Sequence, residues 1–379
     1  MKLRTLLLTV VILAALSVAA YFATRQPAAV ATDSRVGQPL VSRATVEQAA
    51  KFRLTDQGKT VTLTRQSDGT WHVATYHDLP AEFGKLATFI DALTEAKLDR
   101  LVTSSPERIA RLDFKDTTIA LLTADDKPLW RITLGKTPDT GSGRFLRFGT
   151  ENKAFLTNAS LWLDPEPKNW AATELLALKA DTIAKVEIPF PDAPAPLTFT
   201  RAKPEEPWTS SATPAGEQVS AAKLASVIST AGSLRFSDTS DLTDPAVAAA
   251  RAHARTIKLT TFDGKTFAVT FARKPEEKKI KPPVPDAKTV ALGSSAAPAP
   301  HDAKPAASVG PEFETIPAGP VFVAIAAGDP AAPVNALMQK RAYQISDYFY
   351  TALPGKPADL FEPAPKPEPT KPAAPASKP

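Results

Sequence analysis

The sequence predicts an α+β protein: an N-terminal transmembrane helix, then two tandem, diverged α+β repeats of antiparallel hairpins with packed helices, with a Pro-rich insertion and a disordered C-terminal tail. Three observations predict it. Residues 5–24 carry no charge, the same order of motifs occurs twice, and the prolines (37 of 379 residues) cluster after position 274 and at the C-terminus. Proline clusters without large apolar residues read as linker or tail, because they cannot bury enough surface to offset chain entropy.

Taken in order, Lys2 and Arg4 precede Thr5–Thr24, a stretch with five Leu, three Val, Ile12 and Phe22. About 20 such residues at 1.5 Å rise span the roughly 30 Å hydrocarbon layer. The basic flank keeps the N-terminus cytoplasmic, so a single-pass anchor with the bulk of the chain extracytoplasmic (periplasmic) is expected. Cleavage as a signal peptide at Val18-Ala19-Ala20 is the competing reading, and both export the chain. Residues 26–45 read as a spacer, since they lack apolar periodicity.

The first repeat is expected over 46–180. "TVTLTRQ", Asp68-Gly69 and "TWHVAT" form a hairpin pattern around a dipeptide that accepts positive φ. Asp78 with Pro80 predicts a helix start, and Phe83, Leu86, Phe89, Ile90 and Leu93 recur at helical spacing. Ser105-Pro106 opens a short helix "PERIARL". "TTIALLTADDKPLWRITLG" reads as two strands about a turn at Asp125-Asp126, and "RFLRFG" and "KAFLT" as two more, before an amphipathic stretch around Trp162 and Trp170.

The second repeat is expected over 181–361, with the insertion at 274–311. Trp208 parallels Trp71, Lys223-Leu224 parallels Lys85-Leu86, Asp244-Pro245 parallels Ser105-Pro106, and Ile257 parallels Ile119. These offsets run from about 137 to 139 residues, a constancy that points to internal duplication. The insertion reads as a mobile loop and residues 362–379 as a disordered Pro/Lys/Ala tail. Lys278, Lys279, Lys281, Lys366 and Lys371 give these segments scattered charge suited to cell-wall contact.

"DGTWHV" before "LPAEFGKLATFIDAL", "SSPERIARLDF", paired strands ending "ITLG", and "AFLTNASLWL" leading to "NW" together resemble the family catalogued as domain of unknown function 4340, over residues 46 to about 361. The resemblance implies no known activity. It also implies an accessory role beside ABC-type transporters linked to gliding motility or export. The second copy departs from the pattern, reading "VTFARKP" where the first reads "ITLGKTP".

Composition narrows the chemistry. With 45 basic and 40 acidic residues interspersed, the net charge of +5 offers no field of one sign, so nucleic acid is not an expected partner. The chain has no cysteine, which excludes disulfides, thiolate metal sites and a Cys nucleophile. Its four histidines, His72, His77, His253 and His301, form no close metal-ligand spacing, although His72 and His77 stand near one another. Gly135-Lys136-Thr137 lacks the earlier glycine of a phosphate loop, with Trp130 at that place. Gly141-Ser142-Gly143 is a turn and falls short of a nucleophile elbow. The acid pairs Asp125-Asp126, Glu205-Glu206 and Glu276-Glu277 read as solvated turns. Trp71 and Trp208 read as equivalent core residues.

No catalytic, cofactor-binding or metal residues are therefore expected. The expectation is a non-enzymatic, membrane-anchored binding or scaffold protein, an accessory subunit of a transport or motility/export complex held to the inner membrane by its N-terminal helix. The alternative is an envelope enzyme, such as a cell-wall hydrolase, with a site between the two modules.

Overall fold

In the computed structural model, residues 14–18, 33–190, 193–280 and 313–365 are described. The expected anchor over 5–24 lies outside them apart from 14–18, which are helical. Among the described residues no helix is long and apolar enough to cross a membrane. The chain divides into two units between Ala172 and Thr173, eight residues before the expected boundary at 180.

The first unit begins with α1 (Arg43–Gln48), capped by the Ser42 hydroxyl, which accepts from the Thr45 amide. It continues through β1 (Lys51–Asp56), β2 (Lys59–Arg65), β3 (Trp71–Val73), β4 (Leu79–Pro80), α2 (Phe83–Glu95), β5 (Leu98–Thr103), α3 (Pro106–Ala110), β6 (Thr118–Leu122), β7 (Pro128–Leu134), β8 (Arg144–Phe148) and β9 (Ala154–Thr157). These strands form one antiparallel sheet in the order β4-β3-β2-β1-β6-β7-β8-β9-β5. The predicted turn between β2 and β3 is present: Gly69 takes φ +87°, and the Asp68 carboxylate accepts from the Thr70 amide at 2.9 Å.

Alternation along the strands decides which face is buried. Phe52, Leu54, Val61, Leu63, Ile119, Leu121, Ile132 and Leu134 are all buried on one face. Cross-strand register stacks them, with Leu54 opposite both Val61 and Ile119. Because β5 pairs with β9 at the sheet edge remote from β2, α2 has to carry the chain across the sheet, and it does so over this apolar face. The Phe89 ring meets the Phe52 ring edge-on at 5.5 Å.

Two expectations for this unit fail. The first is the spacer: its described part, from Asp33 on, is bound to the sheet. Gly37 donates to the Leu98 carbonyl at 2.7 Å, Leu40 donates to Ala96 at 2.8 Å, and Leu40 and Val41 are buried. Arg35 bonds both Asp33 and Glu151 while lying over the rings of Phe148 and Phe155. Its side-chain bond, then that of Lys153, holds the Asp33 carboxyl well below the usual carboxylate range. The segment attaches mainly through its backbone, which leaves no apolar periodicity to read. The second is the Asp78 cap: α2 starts at Phe83 without a side-chain cap, while Asp78 takes φ +51° and Leu79–Pro80 pair with His72–Val73.

The second unit comprises β10 (Glu174–Ala177), β11 (Ile183–Ile188), β12 (Leu197–Thr200), β13 (Glu217–Val219), α4 (Ala221–Gly232), β14 (Ser233–Arg235), β15 (Asp238–Ser240), α5 (Pro245–Arg251), β16 (Ala254–Thr261) and β17 (Thr266–Ala272). After these come β18 (Glu277–Ile280), β19 (Phe313–Ile316), β20 (Val321–Ala327), α6 (Pro333–Lys340), β21 (Ala342–Ile345), α7 (Asp347–Thr351) and β22 (Phe361–Pro363). Its main sheet runs β12-β11-β16-β17-β20-β21-β15. This is the strand order of β2-β1-β6-β7-β8-β9-β5 in the first unit, with a helix again leading to the far edge strand or its approach. Val269 sits opposite Ile257 and Ile325, giving an apolar row across three strands. As expected, Asp244 caps α5, accepting from the Ala246 amide at 2.8 Å with Pro245 at the first helical position.

The expected loop over 274–311 is structured at its start: Glu277–Ile280 pair in register with Phe313–Ile316, just beyond its end. Residues 281–312 lie outside the described set. A ladder of main-chain bonds requires no apolar side chains, so composition gave no sign of it. Likewise Glu362 and Pro363, assigned to the tail, pair with Gln218 and Glu217. The tail from 366 on lies outside the described residues.

Candidate functional site

The residues singled out for chemistry are scattered. The His72 Nδ1 lies 3.1 Å from the Asp78 carbonyl oxygen, His77 turns against the Tyr76 ring, and His253 is exposed; His301 lies outside the described residues. Among the described residues no three His, Asp or Glu side chains stand where they could share a metal ion. Gly135 and Gly143 have packing roles. A Cβ on Gly135 would lie 2.4 Å from the Leu112 carbonyl oxygen, and one on Gly143, at φ +103°, would lie 1.9 Å from that of Thr157. The acid pairs are tied into surface bonds: Asp126 takes Lys51 and Arg53, which together lower its pKa, while Glu206 lies near Lys203 and Glu277 near Lys274. Trp71 and Trp208 are half-buried, and the Arg201 guanidinium lies 4.5 Å over the Trp208 ring. Both stand beside turns and are only partly covered, so the expectation of core is corrected.

What the fold does create is a groove in the first unit, between α2 and the chain returning from β9. That return is pinned at both ends. Asn158 exchanges bonds with the Lys97 backbone, and the Glu82 amide donates to the Trp170 carbonyl at 2.7 Å. Trp170 is 1% exposed, packs on Phe52 and Phe89, and donates its indole N–H to the Asp164 carbonyl at 2.9 Å, forming the floor. Along α2, Gly84, Thr88 and Ala92 stand at i, i+4 and i+8, one above the other on a helix face. Their small side chains leave a cleft of about 470 Å³, walled on the other side by Leu161 and Trp162. Trp162 is 75% exposed, and Phe83, next to Gly84, is 69% exposed.

One end of the groove is charged. Lys85 Nζ lies 2.6 Å from Asp164 Oδ2, donates to the Asn169 carbonyl at 3.0 Å, and sits 4.6 Å over the Trp170 ring. Asp164 is 8% exposed, and its other oxygen accepts from the Glu166 amide and the Asn169 side chain. Burial pushes this carboxyl up, but Lys85 and the two further donors outweigh it, so its pKa lies below the ordinary value. Both charges are thus engaged within the fold. The groove presents apolar surface, small residues and an exposed indole, an arrangement suited to holding a ligand and poorly suited to moving a proton.

Sequence reasoning missed this groove, because it depends on contacts between α2 and residues more than 65 positions later. The available signal was the small-residue series Gly84, Thr88, Ala92, with Phe83 exposed beside it. No curated protein and no solved structure matches the chain. Residues 71–253 match the family described as Domain of unknown function (DUF4340), and this match supports the family that the sequence motifs resemble.

Proposed function

We propose that this is a non-enzymatic, membrane-anchored extracytoplasmic binding or scaffold protein, an accessory subunit of an ABC-type transport or motility/export complex. On this reading the two units are diverged copies of one module, and the first docks a partner protein through its groove. The groove of α2 carries the reading. Its small-residue stripe allows close approach of an apolar helix or strand, Trp162 supplies an aromatic anchor at the rim, and the ionisable pair at its end is already satisfied. The same strand order in both units supports duplication.

Thr88→Arg places a long charged side chain in the groove at an exposed helix position, so the fold is expected to survive. Affinity purification of the full chain from detergent-solubilised membranes should recover ABC-type permease or ATPase subunits. Recovery should fall at least tenfold with Thr88→Arg and measurably with Trp162→Ala. Equal recovery with both variants removes the groove from the interaction, and recovery of no transporter subunit removes the partner. The anchor is tested separately by the intact mass of membrane-extracted protein: retention of residues 5–24 is expected, and a mature N-terminus at Tyr21 replaces the anchor with a cleaved peptide.

A further inference from the structure

The outer face of the first sheet carries a second concave feature, independent of the groove. Register places Thr60 opposite Thr55, Thr55 opposite Thr118, Thr118 opposite Thr133, and Thr133 opposite Arg147. One row across five strands therefore bears four hydroxyls and ends in a guanidinium. Arg131, two residues before Thr133 on β7, projects from the same face by strand alternation. A hollow of about 430 Å³ lies over this row, bordered by Arg131, Arg147 and Lys115.

The charges here are under-compensated. Arg147 Nε is buried with no hydrogen-bond partner, and the guanidinium lies 5.3 Å from the Phe114 ring centroid. Among the described residues neither Arg131 nor Arg147 has a carboxylate partner. Lys115 is paired with Asp113 at 3.1 Å, and Asp116 supplies the hollow's one carboxylate. A buried guanidinium donor without an acceptor is uncommon, and a second free guanidinium beside it, with threonine hydroxyls between, makes a donor-rich concavity. Gly58 and Gly149 line the same hollow and add no side chain at their own places on its rim.

We propose that this hollow binds a phosphoryl group. Arg131 and Arg147 supply charge and planar donor forks that match its oxygens, and the threonine row donates to the remainder. The second unit has lost the feature. Its threonines Thr256 and Thr270 face one another, but Ala324 lies opposite Thr270 where Arg147 lies opposite Thr133, and Ala268 replaces Arg131. The site is specific to the first unit. Its ligand is either free phosphate or the headgroup of an anionic phospholipid.

The test uses the full chain in detergent, titrated with inorganic phosphate and, separately, with dihexanoyl phosphatidylglycerol below its micelle-forming concentration, with binding followed by calorimetry at fixed ionic strength. Saturable binding of at least one probe is expected. Arg131→Ala, at an exposed position, should weaken it at least tenfold without altering the unfolding midpoint, and Arg147→Lys, which keeps the charge but loses the fork, should weaken it measurably. Tighter binding of the lipid identifies a headgroup site, and tighter binding of phosphate identifies a free-anion site. The proposal is overturned if neither probe binds saturably, or if Arg131→Ala and Arg147→Lys bind as the unaltered chain does.

Discussion

The two units run seven strands in the same order, yet they use the crossing helix differently. In the second, α4 buries Leu224, Val227, Ile228, Thr230, Ala231 and Gly232; in the first, α2 buries only Leu86 and Leu93. At matching positions Val227 and Thr230 are covered where Phe89 is half-buried and Ala92 is exposed. The fold needs only one apolar stripe per helix, so the flank of that stripe can be closed by further packing or left open as a groove. The outer sheet faces differ in the same sense, with arginines in the first unit and alanines in the second. The scaffold is shared, while the groove beside the crossing helix and the arginine-bearing outer row are features of the first unit.

The largest test of that comparison concerns the corner where each unit closes. The Glu82 amide donates to the Trp170 carbonyl in the first, and the Ser220 amide to the Leu360 carbonyl, at 2.9 Å, in the second. Trp170→Ala removes a fully buried indole and should cost about 4 kcal/mol, against about 3 kcal/mol for Leu360→Ala. Denaturant unfolding of the full chain should show each loss in the transition of its own unit. A negligible cost for Leu360→Ala would mean that the two corners are not equivalent and that the shared strand order is superficial.

A smaller effect is expected where the two units differ at one strand end. Gly135 has no room for a methyl group against the Leu112 carbonyl, whereas the second unit carries buried Ala272 at the corresponding place. Gly135→Ala should therefore destabilise the first unit by about 2 kcal/mol, through a backbone clash. Ala272→Gly should cost the second about 1 kcal/mol, through chain entropy and a lost methyl. Equal and small effects would show that the loop holding Leu112 yields, and that the glycine is dispensable.

Much of the scaffold was legible because alternation and turn chemistry are local. The strands around Asp68-Gly69 and Asp125-Asp126, and the short helices behind Ser105-Pro106 and Asp244-Pro245, all stand where their patterns put them. What escaped is held by main-chain bonds: the strip from Gly37 to Leu40, the Leu79–Pro80 strand, and the ribbon joining Glu277–Ile280 to Phe313–Ile316. Such pairing leaves no signature in side-chain type. The groove escaped for another reason. Lys85 reads as a solvated helix residue until Asp164 and Trp170 arrive from 79 and 85 positions away.

The smallest expected effect isolates that Lys85–Asp164 pair; at the matching place in the second unit Lys223 donates to the Phe361 carbonyl at 3.4 Å and, after the Ser220 and Gln218 side chains, helps to lower the pKa of the Glu362 carboxyl. The folded-state pKa of Asp164 is below its ordinary value, so the unfolded chain takes up its proton first as the pH falls. The contribution is fully present above the unfolded carboxyl pKa of about 4, and it is lost as the pH drops through the lower folded value. Between pH 5 and 8 it should stay constant. Asp164→Asn keeps the shape but removes the charge opposite a partly buried ammonium, costing about 1.5 kcal/mol at neutral pH. Its stability should fall less steeply than that of the unaltered chain below about pH 4. Unfolding curves collected from pH 2.5 to 8 for the two proteins should therefore converge toward the acid end. If they remain parallel, the carboxylate gains nothing from Lys85, and the charged end of the groove is ordinary solvated surface.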